Sequence, residues 1–178
     1  MNKRALIISG NLAQDHEFIY PFYRLLEEDF TVDVSFNEDM AVKGILGTDL
    51  PPNKNHPITK ISEIHVSNYS LLILPGGVKA MEKVRQNKKI IDIIKKFYDD
   101  GKIIGCICSG AQLLISAKIV AGKKISGYYS MMDDINNAGA IYTDLPAVID
   151  HKIITTAHYK DMGPWMKAIL KEHEKILL

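Results

Sequence analysis

Short runs of consecutive apolar residues alternate along the chain with segments in which apolar residues recur every three or four positions. Such runs are typical of strands buried on both faces of a sheet, and the periodic segments are typical of helices that cover a sheet. The pattern predicts strands at 5–9, 31–36, 70–74 and 102–107, and short strand candidates at 125–127, 140–142, 147–149 and 153–156.

Four segments have helical spacing. The first ends at Glu28 and begins either near Asp15, as its N-cap, or at Pro21, because a proline inside a helix removes a hydrogen bond. The others are 88–100, capped by Gly101, then 109–119, and finally 162–177 with Pro164 in its first turn.

Strands and helices follow one another over most of the chain, which predicts an α/β fold: a mostly parallel sheet with helices on both faces. Residues 37–67 interrupt this order with several glycines and prolines, so we expect a loop-rich excursion with hairpin strands near 42–46 and 57–61. A length of 178 residues suits one domain, and we predict a single domain over 1–178.

The composition narrows the class of protein. Hydrophobic residues make up 47% and charged residues 24%, which excludes a disordered or fibrous chain. The net charge is +1, so nucleic acid is not an expected partner. Because no apolar run approaches the ~18–20 residues of a membrane span, we expect a cytoplasmic protein with no membrane partner.

Cys106 and Cys108 lie where a predicted strand passes into a predicted helix. The small residues Ser109 and Gly110 permit a sharp elbow, in which the Cys108 side chain stands over the carboxyl edge of the sheet beside free helix N–H groups. Those groups favour the nucleophilic thiolate, so we expect a thiol pKa well below ~8.5. The alternative is a small buried hydrophobe, which is our interpretation of Cys106. A Cys-x-Cys metal site needs two further ligands that the pattern does not identify, so we predict no metal and no cofactor.

Several motifs, in order along nearly the whole chain, resemble the ThiJ/PfpI superfamily and its PfpI-like branch. They are Leu74-Pro75-Gly76-Gly77, the cysteine elbow, the segment 133–139 and Pro164-Trp165-Met166. The resemblance implies a three-layer flavodoxin-like sandwich and self-association as a dimer or higher oligomer. It also implies a reactive Cys108, a carboxylate at Glu17, and an oxyanion pocket of backbone amides near Gly76, Gly77 and Ser109.

These positions follow strands, and ligands of open parallel sheets gather beyond the carboxyl ends of the strands. We therefore expect Glu17 to face the thiol. Because a carboxylate beside a thiolate is repelled unless the two share a proton, Glu17 should hold its proton more tightly than usual and can relay it.

Two departures from the family pattern bear on the chemistry. Relatives in the protease-named branch usually have His after the cysteine, whereas Ser109 stands here and cannot act as a general base. The loop that usually reads Phe-Glu-Asp-x-Glu has Ala and Gln in its first two places and gains His16. His16 is therefore a candidate substitute base, the alternative being an exposed histidine at a helix start.

The resemblance suggests three auxiliary positions. Tyr128 falls where relatives carry Tyr or His near the thiol, so it either orients substrate or is a core tyrosine. His158 replaces part of a Ser-Arg-x-Pro motif and is a candidate pocket residue. Glu82 matches an acid that relatives present to the neighbouring subunit's cysteine, the alternative being an exposed helix acid.

Three functions fit these residues. The first is a cofactor-independent, glyoxalase-like or deglycase-like enzyme, in which the Cys108 thiolate adds to a small 2-oxoaldehyde or its adduct and Glu17 assists rearrangement to a hydroxy acid. The second is an intracellular cysteine peptidase or amidase, which needs an imidazole that Ser109 does not supply. The third is a non-catalytic redox or stress-response protein, in which Cys108 is oxidised to a sulfinate held by protonated Glu17.

Overall fold

The apolar runs of the sequence form the strands of one central sheet. The computed structural model describes residues 3–176. Its strands are β1 (Arg4–Ser9), β2 (Thr31–Phe36), β3 (Val42–Lys43), β4 (Asp49–Leu50), β5 (Leu71–Leu74), β6 (Ile103–Ile107), β7 (Lys124–Ile125), β8 (Ile141–Tyr142), β9 (Val148–Asp150) and β10 (Ile153–Thr156). Its helices are α1 (Asp15–Glu27), α2 (Val78–Val84), α3 (Lys88–Asp99), α4 (Ala111–Ser116), α5 (Met132–Asn137) and α6 (Met162–Glu174).

The central sheet has the strand order β2-β1-β5-β6-β10-β9. Its first five strands are parallel, and β9 runs antiparallel to β10 at one edge. Helices α1 and α6 pack together on one face, whereas α2, α3 and α4 pack on the other. The fold is therefore the predicted three-layer flavodoxin-like α/β sandwich.

Burial explains why the strands of the central sheet are unbroken runs of apolar residues in the sequence. Every residue of β5 and β6 is buried, because helices cover both faces of the sheet. On one face, the buried Trp165 of α6 donates a hydrogen bond from Nε1 to the Ile154 carbonyl oxygen of β10, at 3.0 Å. This bond fixes α6 against the strand while satisfying the one polar atom of a large apolar ring.

The sequence left two possible starts for the first helix, and the structure shows the earlier one. It begins at Asp15, contains Pro21 and has Gln14 rather than Asp15 at its N-cap. The Asp15 carboxylate is not a cap because it accepts hydrogen bonds from the Leu46 and Thr48 N–H groups instead.

The hairpin prediction for residues 37–67 was wrong in its second strand. The hairpin is β3 with β4, closed by the turn in which Gly47 takes a φ of +91°. Residues 57–61 make one isolated bridge, Ile58 with Val34 of β2, and a short 3-10 helix begins at Ile61. Pro57 has no N–H to donate to a ladder, which disfavours a strand at this point.

Other element boundaries also differ from the sequence prediction. Helices α2 and α5 were not predicted, and α4 ends at Ser116 rather than at 119, just before Lys118 takes a φ of +57°. The predicted end of the last helix, at 177, lies outside the described residues. No helix within residues 3–176 is long and apolar enough to cross a membrane.

Candidate active site

The predicted cysteine elbow is present at the end of β6. Cys108 has a φ of +58°, a left-handed conformation that a non-glycine residue adopts only at a cost of roughly 1–3 kcal/mol. A 3-10 turn over Cys108–Gly110 then leads into α4. A Cβ at Gly110 would lie 2.7 Å from the Leu74 carbonyl oxygen, so this turn needs glycine. The Cys108 side chain is half-buried and lines a pocket.

Glu17, on the first turn of α1, meets the thiol as expected. Its side chain is 1% exposed, hydrogen-bonds the Cys108 side chain, and accepts a bond from the Gly76 N–H to Oε2 at 2.8 Å. Burial raises the pKa of Glu17 from 4.5 to about 7, against the smaller opposing effects of these two hydrogen bonds. Glu17 is therefore a carboxyl group that can exchange a proton near neutral pH.

The expectation of a low thiol pKa was wrong. Burial and the negative charge of Glu17 raise the pKa of Cys108 from 9.0 to about 12, while the Ser109 hydroxyl and N–H, which hydrogen-bond the sulfur, lower it by less. The Sγ–Oγ distance is 3.8 Å. The elbow thus holds a protonated thiol beside a carboxylate that can accept its proton, rather than a pre-formed thiolate.

The Gly76-Gly77 pair lets three chain segments approach closely. A Cβ on Gly76 would lie 2.5 Å from Glu17 Oε2 and 2.8 Å from Cys108 Cβ. A Cβ on Gly77, whose φ is +101°, would lie 2.5 Å from the Gln14 nitrogen. Both positions therefore need glycine for the acid to reach the thiol.

The structure corrects one of the three predicted oxyanion donors. The Gly76 N–H is already bonded to Glu17, and Gly76 does not line the pocket. The Gly77 N–H, at the N-cap of α2, has no hydrogen-bond acceptor within residues 3–176. Gly77 lines the pocket together with Ser109, whose N–H hydrogen-bonds the sulfur.

Cys108 and Glu17 open into a pocket of about 900 Å³. The pocket brings together most of the predicted auxiliary residues, since Tyr128, His158 and Glu82 all line it. The Tyr128 N–H donates to the Cys108 carbonyl oxygen at 3.2 Å, which places that loop next to the elbow.

The two histidines predicted near the site do not contact the sulfur. His16 is exposed, does not line the pocket and packs on Tyr159 at 5.4 Å between ring centroids. His158 Nδ1 accepts a hydrogen bond from the Lys160 N–H at 3.2 Å. In the described part of the chain, the side chains that hydrogen-bond the Cys108 sulfur are Glu17 and Ser109, and no imidazole does so.

Two residues of this region were missed by the sequence analysis as site residues. Arg85 lines the pocket and hydrogen-bonds α4, and Asp15 holds the loop that carries Ile45, another lining residue. Neither lies in a motif with a distinctive spacing, because each acts through segments distant in sequence. No cluster of three or more His, Cys, Asp or Glu side chains in residues 3–176 is placed to hold a metal ion.

The sequence and the fold are similar to those of known proteins. A model of the DJ-1/PfpI family matches residues 3–172. The protein named "Deglycase PfpI" from Pyrococcus furiosus is 33% identical over 168 residues, which cover 94% of this chain and 98% of that protein. The "Putative cysteine protease YraA" from Bacillus subtilis is 28% identical over 163 residues, covering 91% of this chain and 93% of its own.

A solved structure also matches. It is a two-domain protein with DJ-1/ThiJ/PfpI-like and ferritin-like domains from Anabaena variabilis, with a TM-score of 0.88 and 28% identity. The match covers 96% of this chain and 48% of that one.

Proposed function

The chain belongs to the DJ-1/PfpI family, and from that membership and its thiol–carboxyl pair we propose that it is a cofactor-independent enzyme acting on 2-oxoaldehydes or their adducts. The observation that carries the proposal is the hydrogen bond between the Cys108 and Glu17 side chains, at the wall of an open pocket. Conversion of a 2-oxoaldehyde needs one nucleophile and one group that moves protons, and this pair supplies both.

The first step is addition to the aldehyde. Cys108 Sγ bonds to the aldehyde carbon while its proton passes to Glu17, and the aldehyde oxygen takes the electron pair of the C=O bond. The Gly77 and Ser109 N–H groups stabilise this oxygen as it gains negative charge, and Glu17 then returns the proton to it to give a hemithioacetal. Because the pKa of Glu17 is raised to about 7, the acid accepts and returns protons near neutral pH.

The second step moves hydrogen between two neighbouring carbons. Glu17, again ionised, removes the proton from the former aldehyde carbon as the neighbouring ketone oxygen takes up a proton from water. Glu17 then protonates the adjacent carbon of the resulting enediol, and the other hydroxyl loses its proton to water, which gives a thioester of a 2-hydroxy acid. Water then releases the acid and restores the thiol. One carbon is oxidised and its neighbour reduced, so no external oxidant or cofactor is needed.

The test is lactate formation from methylglyoxal by four proteins: the wild type, Cys108→Ser, Glu17→Gln and Cys106→Ala. Cys106→Ala is the matched control because this second thiol is fully buried and does not line the pocket. We expect lactate from the wild type and the control only. Lactate formation that survives in Cys108→Ser at the wild-type rate would overturn the proposal.

A peptidase or amidase is less well supported. The relative named a putative cysteine protease favours it, but release of an amine needs a proton donor, and no described imidazole bonds the thiol. We expect no casein cleavage that is lost in Cys108→Ser, and such cleavage would favour this alternative.

The redox alternative has support from the same pair. Two molecules of peroxide would convert the thiol to a sulfinic acid with release of two waters, and protonated Glu17 could hydrogen-bond the sulfinate. Mass spectrometry after mild peroxide would then find +32 Da at Cys108 and not at the buried Cys106. A wild type that oxidises in this way but forms no lactate would favour this function.

A further inference from the structure

One guanidinium lies at the wall of the pocket without a role in the proposed chemistry. Arg85, directly after α2, donates from Nε to Ser116 Oγ at 3.0 Å and from Nη1 to Gln112 Oε1 at 3.3 Å. Both acceptors are on α4, the helix that follows the elbow. Of the Lys and Arg side chains that the structure describes, Arg85 is the one that lines the pocket.

In the part of the chain that the structure describes, one nitrogen of the Arg85 guanidinium can still bind a ligand. Within residues 3–176 its Nη2 makes no hydrogen bond, and no carboxylate lies within 4.0 Å of its nitrogens, although Glu82 and Asp134 line the same pocket. An arginine is ionised at every physiological pH, and its planar N–H groups match the geometry of a carboxylate.

The reactive sulfur and the guanidinium share one pocket. Cys108 and Arg85 both line it, and Gln112, which anchors Arg85, is four residues after Cys108. The same pocket therefore offers a nucleophile for an aldehyde and a cation for a carboxylate of the same molecule.

We propose that Arg85 binds a carboxylate of the substrate, and that the site selects 2-oxoaldehydes that also carry a carboxylate. This substrate class rests on the proposed function. The product would be a 2-hydroxy dicarboxylate, formed by the same internal oxidation and reduction.

The experiment compares two substrates with the same reactive end, 4,5-dioxopentanoate and the uncharged 2-oxopentanal. The measured quantity is the ratio of their kcat/KM values in the wild type, Arg85→Lys and Arg85→Met. We expect the wild type to prefer the anion, and Arg85→Met to lower the ratio by about tenfold or more, with Arg85→Lys in between. If Arg85 only holds α2 against α4, kcat/KM falls by the same factor for both substrates and their ratio is unchanged. That result would overturn the proposal.

Glu82→Gln is a control variant for which the expected change in the kcat/KM ratio has the opposite sign. Glu82 lines the same pocket on α2 and is exposed. Removing its negative charge should raise the preference for the anionic substrate, whereas Arg85→Met lowers it. A fall of the ratio in both variants would show that disturbance of α2, rather than charge, is responsible, and would contradict the proposal.

A binding measurement separates this proposal from the proposed function. Protection of Cys108 from iodoacetamide is compared for 4-oxopentanoate and 2-pentanone, neither of which is a 2-oxoaldehyde. We expect stronger protection by the anion, and loss of that difference in Arg85→Met. If neither oxoaldehyde is converted but this difference persists, the proposed function fails and the carboxylate site stands. Equal protection by both compounds overturns the site whatever the turnover.

Discussion

Glu17 holds its proton more tightly in the folded chain than in the unfolded chain, because burial penalises the ionised carboxylate. Its pKa is about 7 when folded against 4.5. Below pH 4.5 the group is protonated in both states and costs nothing. As the pH rises from 4.5 to 7, the unfolded chain releases this proton while the folded chain keeps it, so stability falls by on the order of 3 kcal/mol and stays at the lower level above pH 7.

Glu17→Gln should remove this loss. We expect its free energy of unfolding to equal or approach that of the wild type at pH 5 and to exceed it by on the order of 3 kcal/mol at pH 8, measured by urea denaturation. The exposed Glu82→Gln is the control and should show no such divergence. Parallel stability curves for the wild type and Glu17→Gln would refute the raised pKa.

At the residue scale, the sequence predicted the reacting pair but not its protonation. Cys108 and Glu17 both follow strands that run into one edge of the sheet, so their meeting could be inferred from pattern and resemblance. The thiol pKa could not, because it depends on burial and on the charge of a residue 91 positions away. In the same way, only the structure shows that the Gly76 N–H bonds Glu17 and is lost as an oxyanion donor.

Asp15 joins two elements that are far apart in sequence, α1 and the hairpin of β3 and β4. Its buried carboxylate accepts from the Leu46 N–H at 2.8 Å and the Thr48 N–H at 3.1 Å. Burial alone would raise its pKa, but these hydrogen bonds hold the pKa below its usual value. The loop they fix carries Ile45 into the pocket wall.

Asp15→Asn should loosen this loop. An amide cannot accept two N–H bonds with both of its polar atoms, so one of the two N–H donors loses its partner, at a cost of about 1 kcal/mol. We expect faster hydrogen exchange over 44–48 and a higher KM with less change in kcat. Asp49→Asn, which breaks an exposed pair with Lys43 in the same hairpin, is the control and should have little effect. Unchanged exchange at 44–48 in Asp15→Asn would contradict this role.

Element prediction succeeded where burial dictates the pattern. Strands β5 and β6 are buried on both faces and were found from their apolar runs to within one residue. The 37–67 excursion and helix α2 were not found correctly, because short segments held by distant contacts, such as the bridge of Ile58 to Val34, have no period of their own.

At the scale of the whole molecule, the two thiols differ in when they can react with a reagent from solution. Cys106 is fully buried in the middle of the sheet, where it pairs in register with Leu74 and Thr155, whereas Cys108 reaches the pocket. Cys106 can react only when the sheet opens, which requires loss of the core.

We therefore expect iodoacetamide to label Cys108 in the native protein, and to label Cys106 only over the urea range in which circular dichroism shows global unfolding. Cys108→Ser leaves Cys106 as the only thiol and simplifies the mass spectrum. If Cys106 is labelled well before the spectroscopic transition, the sheet opens locally and the buried position of Cys106 does not hold in solution.

The most direct test of the account is the pH dependence of Cys108 alkylation by iodoacetamide, in the wild type and in Glu17→Gln. Because ionisation of Glu17 near pH 7 creates the carboxylate that takes the thiol proton as the sulfur attacks, the wild-type rate should rise with an apparent pKa of about 7. In Glu17→Gln that inflection should disappear, and the buried thiol should titrate alone, above the ~8.5 of a free thiol. An inflection near 7 that remains in Glu17→Gln would show that the carboxyl group does not govern the thiol, and would contradict the account.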